Sequence, residues 1–271
     1  MEVLKKEDPT FKCKVDPETS QTIISGMGEL HLEVLQHKIL RDMKINVRVG
    51  KPRVAYKETI SKAAVGEAKF IKQTGGRGQY GHVILNIEPV VDQDGNYAAK
   101  LEFENKANNN DVPKEYVDDI RQGAMDTLSS GALGGYPVCG VKVTLTGGSF
   151  HAVDSSPVAF EQAASMAVSQ ALEKAGCVLL EPVMRIQAAV PEANFGSVQA
   201  GLSGKRAVIT GSDVHGNMRV IYASVPLAEM FGYSSEIRSL TAGRGSFSME
   251  PQKYQKVPDQ LAEKILSLFY I

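Results

Sequence analysis

Apolar positions along the chain alternate between a period of two and a spacing of three and four, and the switches mark out the elements. Residues Glu2–Glu7 read as a helical turn that stops at Asp8-Pro9, because a proline pushes the residue before it out of helical geometry. Phe11–Val15 and Gln21–Ser25 read as strands around the turn-forming pair Asp16-Pro17. Leu32, Leu35 and Ile39 fall on one face of a helix predicted over Gly28–Asp42, and Ile45, Val47 and Val49 then alternate as in a strand that ends at Gly50. The order α-β-β-α-β lacks only a leading strand to make a ferredoxin-like βαββαβ unit. The pattern therefore predicts a chain that opens inside a domain.

A new pattern starts with the β-like run Arg53–Ile60. Strands predicted at Lys69–Thr74 and Val83–Pro89 flank a glycine-rich loop, Thr74–His82. Beyond a polar stretch around Asn108–Asn110 come a helix, Glu115–Ser129, and a β-branched strand, Val138–Thr146, which runs into a second loop, Gly147–Ser156. Ser156-Pro157 begins the next helix, since proline suits the first helical position. That helix, to about Lys174, carries Ala163, Ala167 and Ala171 on one face, small enough to pack closely on a sheet. The remainder reads β (Leu179–Ala189), α (Phe195–Leu202), β (Val208–His215), β (Arg219–Pro226), α (Ser234–Leu240), β (Ser246–Tyr254), then a terminal helix Pro258–Phe269. The expected fold class is α+β: two ferredoxin-like βαββαβ domains, the first truncated, flank a central α/β domain. The expected boundaries are 1–53, 54–177 and 178–271.

Composition narrows the classes of function. A chain of 271 residues with 43% hydrophobic residues can bury cores in two or three domains. No apolar run approaches the roughly 18 residues that cross a bilayer. The N-terminal Met1-Glu-Val-Leu-Lys-Lys6 has no apolar stretch after its charges, so it does not read as a secretory signal. Cys13, Cys139 and Cys177 are scattered without metal-ligand spacing and read as reduced structural thiols. With 30 basic against 31 acidic residues there is no global positive field. Any contact with RNA must come from local patches, such as Lys62, Lys69, Lys72 and Arg77, which face only Glu67 between residues 62 and 82.

Several strings imitate catalytic motifs. Gly76-Arg-Gly-Gln-Tyr-Gly81 fits G-x-G-x-x-G, yet a strand follows it where a dinucleotide site needs a helix. A kinase glycine loop does lie between strands, but V-A-I-K, H-R-D and D-F-G are absent. Two readings remain: a plain surface hairpin, or an exposed loop presenting Arg77, Gln79 and His82 to phosphates or base edges with Tyr80 able to stack. His151, Asp154, Ser155 and Ser156 resemble a hydrolase triad, but triad members converge from separate segments, so a loop with a helix cap is the better reading. Gly201-Leu-Ser-Gly-Lys-Arg206 lacks the spacing and the Ser/Thr of a phosphate-binding loop. His31, beside Glu29 and Glu33, reads as solvated or capping. Gly243-Arg-Gly245 is either a tight αβ connection or a place where backbone and guanidinium meet RNA phosphates.

In order along the chain stand Lys6-Glu-Asp-Pro-Thr-Phe11, Ile24-Ser-Gly-Met-Gly-Glu-Leu-His-Leu-Glu33, Thr74-Gly-Gly-Arg-Gly-Gln-Tyr-Gly-His82, His151-Ala-Val-Asp-Ser-Ser156, Val225-Pro-Leu-Ala-Glu-Met-Phe-Gly-Tyr233 and Leu240-Thr-Ala-Gly-Arg-Gly-Ser-Phe247. This ordered set closely resembles bacterial-type elongation factor G over essentially the whole chain. The resemblance implies a third domain cut at its N-terminal side, a fourth and a fifth, with no GTP-binding domain in the chain. It implies a protein that promotes GTP-dependent translocation of tRNA and mRNA, whose fourth domain enters the small-subunit decoding centre and separates the tRNA–mRNA duplex from ribosomal RNA. Carried over by motif, the tip residues are Gln79 and His151, with Arg77, Tyr80 and His82 nearby. Arg244, with Lys205 and Arg206, is the corresponding contact to the factor-binding RNA of the large subunit. No cofactor belongs to this part, since GTP and Mg2+ sit in the N-terminal domain of the family. The resemblance further implies a monomer in the cytoplasm or an organelle matrix, with no membrane partner. Departures such as Asn109-Asn110, where the family has a glycine pair, keep open a paralogue devoted to ribosome recycling or ribosomal protection. A free-standing RNA-binding module is the alternative from another class.

Overall fold

The structure, a computed structural model, describes residues 2–17, 19–26, 29–50, 52–73, 78–93, 95–98 and 100–267. Along the chain run α1 (Glu2–Glu7), β1 (Lys12–Val15), β2 (Thr22–Ser25), α2 (Glu29–Arg41), β3 (Lys57–Ile60), β4 (Ala64–Lys72), β5 (Gln79–Pro89), β6 (Glu102–Asn105), α3 (Val117–Ser130), β7 (Val141–Ser149), α4 (Pro157–Ala175), β8 (Cys177–Pro191), α5 (Phe195–Ser203), β9 (Val208–His215), β10 (Met218–Pro226), α6 (Tyr233–Leu240), β11 (Ser246–Lys256) and α7 (Asp259–Ser267). They form two compact units, Met1–Ala55 with Pro182–Gln252 and Tyr56–Glu181 with Lys253–Ile271. The expected α+β class is what the chain adopts.

In the first unit, β1 and β2 form an antiparallel hairpin from Lys12↔Ser25 to Val15↔Thr22. Leu4, Phe11, Leu35 and Ile39 make its small core. His31, expected to be solvated or capping, instead has its Nε2 2.6 Å from Asp8 Oδ2, which ties α2 to the turn after α1. Thr10, by side-chain and backbone hydrogen bonds, is the main cause holding the Asp8 carboxyl below its usual range, with His31 adding to it. The strand expected over Ile45–Val49 does not form a ladder. β1 and β2 pair with one another, and among the described residues no strand lies beside 45–49. Val47 packs on the core while Ile45 and Val49 are exposed, so the alternation that predicted one sheet face is split. The predicted start of the α2 helix at Gly28 lies outside the described residues.

The second part of this unit follows its predicted pattern closely. The sheet order β11-β8-β10-β9 is the ferredoxin-like arrangement, with β10 antiparallel to both neighbours. Along β8, Met184, Ile186, Ala188 and Val190 are buried while Arg185 and Gln187 are exposed. That period of two presents one face to Val198 and Leu202 of α5 and Ile237 of α6.

The central unit holds a sheet in the order β4-β5-β7-β6, antiparallel except for the parallel pair β6–β7. Helix α4 lies on it through fully buried Phe160, Ala163, Ala164, Ala167 and Ala171. Ser156 caps α4 by accepting from Ala159 N–H, and Pro157 occupies its first turn, as the Ser-Pro pair predicted. The approach is close enough that a Cβ on Gly66 would stand 1.8 Å from the Ala167 carbonyl oxygen. In β3, the strand shrinks from the expected Arg53–Ile60 to Lys57–Ile60, which pairs with Cys177–Leu180 at the start of β8. Glu58 within it is fully buried. Its carboxylate accepts backbone N–H bonds from Ala132 and Leu133 on Oε2, at 2.6 and 2.9 Å, and from Gly134 and Tyr136 on Oε1, at 2.9 and 3.2 Å. One acidic side chain thereby supplies the acceptors that loop 131–136 lacks in itself.

Candidate functional site

Antiparallel pairing puts the beginning of β5 beside the end of β7, with His82 opposite Ser149. The loop that enters β5 and the loop that leaves β7 therefore emerge at the same end of the central sheet. The strands β4 and β5 on either side of the glycine-rich segment pair as far as Lys72↔Gln79, so Gln79 is the first residue of β5. Its backbone is thus held in register while its side chain is half-buried at the loop base. Arg77, expected at this tip, lies outside the described residues.

Asp154 joins the two loops. Its Oδ1 accepts the Gly78 N–H at 3.1 Å, and its backbone oxygen accepts the Tyr80 N–H at 2.8 Å. Tyr80 and Ser155 form a parallel bridge at the same place. Gln79 is therefore anchored on both sides by one residue of the other loop. Within the second loop, Ser155 Oγ accepts the His151 N–H at 2.9 Å, and His151 O accepts the Ser155 N–H at 3.0 Å. His151 Nδ1 stands 3.3 Å from both the Asp154 N–H and Asp154 Oδ2. The first contact suits a bare Nδ1 and the second a protonated one, so the ring keeps a partner in either tautomer. The imidazole itself is 58% exposed, and Tyr80 lies beside it with ring centroids 6.3 Å apart.

Tyr80 and His82 point into the sheet rather than out of it. Ser149 Oγ is 2.8 Å from the Tyr80 hydroxyl and 2.8 Å from His82 Nδ1, and His82 Nε2 is 3.0 Å from Glu67 Oε1. Only 8% of His82 is exposed. This Glu67–His82–Ser149 relay, which spans three strands, has the hydrogen-bond order of a hydrolase triad, but Ser149 Oγ is held between His82 and Tyr80 and serves as a half-buried strut. The His151, Asp154, Ser155 and Ser156 string is no triad either. Ser155 Oγ bonds a backbone N–H instead of a ring, and Ser156 caps a helix. Among the described residues no group of His, Cys, Asp and Glu is placed to hold a metal ion.

The second set of expected contact residues lies in the other unit. Arg244 is exposed in the turn after α6 and has no ion-pair partner among the described residues. The turn is rigid: Thr241 Oγ1 donates to Ile237 O at 2.6 Å and accepts the Gly245 N–H at 2.7 Å, while Gly243 takes φ +80°. Lys205 and Arg206 are already engaged. Lys205 Nζ is 2.7 Å from Glu236 Oε2 and 5.8 Å from the Tyr233 ring centroid. Arg206 Nε is 3.0 Å from Glu229 Oε1. Tyr233 is buried under this pair, and burial, with Glu236 adding to it, pushes its hydroxyl up to about 12.

Sequence reasoning passed over Asp154 and Ser149 as tip-supporting residues. The signal for Asp154 was the short His-x-x-Asp spacing, which brings its carboxylate back to the His151 ring. Nothing in the sequence joined it to Gly78.

Three family profiles match in succession: "Elongation Factor G, domain III" over residues 1–51, "Elongation factor G, domain IV" over 52–176 and "Elongation factor G C-terminus" over 178–265. The chain is 48% identical to elongation factor G of Thermotoga neapolitana over 265 residues, which is 98% of this chain and 38% of the relative. It is 50% identical to that of Aquifex pyrophilus over 261 residues, 96% of this chain and 37% of the relative. A crystal structure of a Thermus thermophilus protein superposes with a TM-score of 0.87 at 37% identity, covering 98% of this chain and 39% of that one. The chain thus spans well under half the length of the relatives it matches.

Proposed function

Because the chain belongs to the elongation factor G family, we propose that it is the ribosome-engaging part of a translational GTPase that moves tRNA and mRNA through the ribosome. The observation that carries this reading is the joint presentation of Gln79 and His151 at one end of the central sheet, with Asp154 anchoring both. The end of that sheet acts as a polar probe in the decoding centre: half-buried Gln79 and exposed His151 compete for hydrogen bonds of the tRNA–mRNA duplex. A hydrogen bond to a charged group contributes roughly 1.5–3 kcal/mol, enough to hold a displaced duplex but not to dominate ribosome affinity. Arg244, exposed on its rigid turn, meets a phosphate of the large-subunit factor-binding RNA. The domains run 1–53, 54–177 and 178–271, and the protein acts as a cytoplasmic monomer. GTP and Mg2+ are held by another part of the full-length factor, which supplies the hydrolysis step. No residue of this chain is assigned to them.

The test uses full-length factor carrying Gln79→Ala or His151→Ala in single-turnover translocation. Each substitution is expected to slow translocation by roughly ten-fold or more, the equivalent of about 1.4 kcal/mol, while ribosome affinity changes far less. Unchanged translocation in both variants would remove the tip from the mechanism. Normal splitting of post-termination ribosomes by a wild-type factor that fails to translocate would instead assign the chain to a recycling paralogue.

A further inference from the structure

We infer that Asp154 is the positioning residue of the tip, acting through Gln79 and His151 rather than on RNA itself; this rests on the functional reading above. Contacts converge on it from both loops. Its carboxylate Oδ1 takes the N–H of Gly78, the residue before Gln79, at 3.1 Å. Its carbonyl takes the N–H of Tyr80, the residue after Gln79, at 2.8 Å. Its N–H and Oδ2 both stand 3.3 Å from His151 Nδ1, which leaves Nε2 of that ring free to point outward. Gln79 is thus fixed by a clamp on its flanks, and His151 by a choice of partner on its inner nitrogen.

The arrangement has a physical reason. A side chain that reads a mobile duplex must not spend its binding energy on ordering itself, so its backbone is ordered beforehand. Gln79 starts a strand at the loop end of the β4–β5 pair, where Lys72↔Gln79 is the last rung of the ladder and so among the readiest to fray. Asp154 closes that end. Its own backbone is fixed in turn, because His151 and Ser155 exchange two hydrogen bonds across the turn that contains it.

The experiment compares Asp154→Ala with Asp154→Asn in the full-length factor. Asparagine keeps an oxygen for the Gly78 N–H and places an amide N–H beside the bare His151 Nδ1; alanine removes both. Hydrogen–deuterium exchange with single-residue fragmentation should show the Gly78 amide exchanging about ten-fold faster or more in Asp154→Ala, and close to wild type in Asp154→Asn. Single-turnover translocation should fall in Asp154→Ala to the level of Gln79→Ala and recover in Asp154→Asn. The double variant Asp154→Ala/Gln79→Ala should be no more than about two-fold slower than Gln79→Ala alone, because the clamp acts through the residue it holds. Unchanged Gly78 exchange in Asp154→Ala overturns the clamp. Faster exchange with normal translocation, while Gln79→Ala remains slow, overturns the positioning role and leaves the functional reading standing. Full additivity in the double variant assigns Asp154 a separate contact and also overturns it. If Gln79→Ala and His151→Ala translocate normally, the functional reading fails, and the clamp is then judged on exchange alone.

Discussion

Gly78 donates its backbone N–H to Asp154 Oδ1 at 3.1 Å, and a Cβ placed on Gly78 would lie 3.1 Å from Asp154 Cγ. This approach, and not a left-handed φ, is what a side chain at position 78 would disturb. Gly78→Ala is therefore expected to push Asp154 by a few tenths of an ångström. The stability cost should stay near 1 kcal/mol, at the low end for overpacking, because both partners lie on loops. Exchange of the Gly78 amide should rise while the thermal midpoint hardly moves, which hydrogen exchange and calorimetry together would show.

Glu58 is the buried acceptor for four backbone N–H groups of loop 131–136. Glu58→Gln keeps the shape but turns one acceptor oxygen into an amide that faces donors. Leaving buried N–H groups unmet costs roughly 1–3 kcal/mol each, so the variant should lose about 3 kcal/mol in urea unfolding. A loss below about 1 kcal/mol would show that the loop finds other acceptors.

Exposed Arg244 and the paired Lys205 and Arg206 should behave differently on the ribosome. Arg244→Ala is expected to lower the slope of log affinity against log salt by about 1, as for one lost phosphate contact, without destabilising the fold. Lys205→Ala should leave the slope nearly unchanged, because Glu236 and the Tyr233 ring already occupy that ammonium. Its effect should be on local stability. Equal slopes for Arg244→Ala and wild type would remove Arg244 from the interface.

Burial, reinforced by Glu58, raises the Cys177 thiol to about 11. The thiolate is the reactive form, so a raised value means less thiolate at any pH below it. Alkylation of Cys177 should be slow at pH 8 and accelerate roughly ten-fold per pH unit until about 11, as long as the fold holds. Peptide mass spectrometry after iodoacetamide labelling gives the rate. Rapid labelling at pH 7 would mean that the site opens.

Local pattern predicted the parts whose physics is local. The strands read over Leu179–Ala189 and Arg219–Pro226 and the Ser156-Pro157 helix start are present, because strand-forming runs and caps are properties of neighbouring residues. The alanine face of α4 is buried as expected, for it could only pack on a sheet. Ile45–Val49 shows where that reasoning stops. Its alternation is as regular as that of β8, yet a strand needs a neighbour to take its backbone hydrogen bonds, and the described residues provide none there.

The sequence alone determined the α+β class, the family resemblance, and the choice of Gln79 and His151 from two loops far apart in the chain. Tertiary structure decided what those loops share. Antiparallel pairing of β5 with β7 brought them to one end, turned Tyr80 and His82 inward onto Ser149, and set Asp154 against Gly78 across 76 positions of sequence. Such a contact leaves no local trace, because a carboxylate that will accept a distant N–H has the same spacing and neighbours as one left in water.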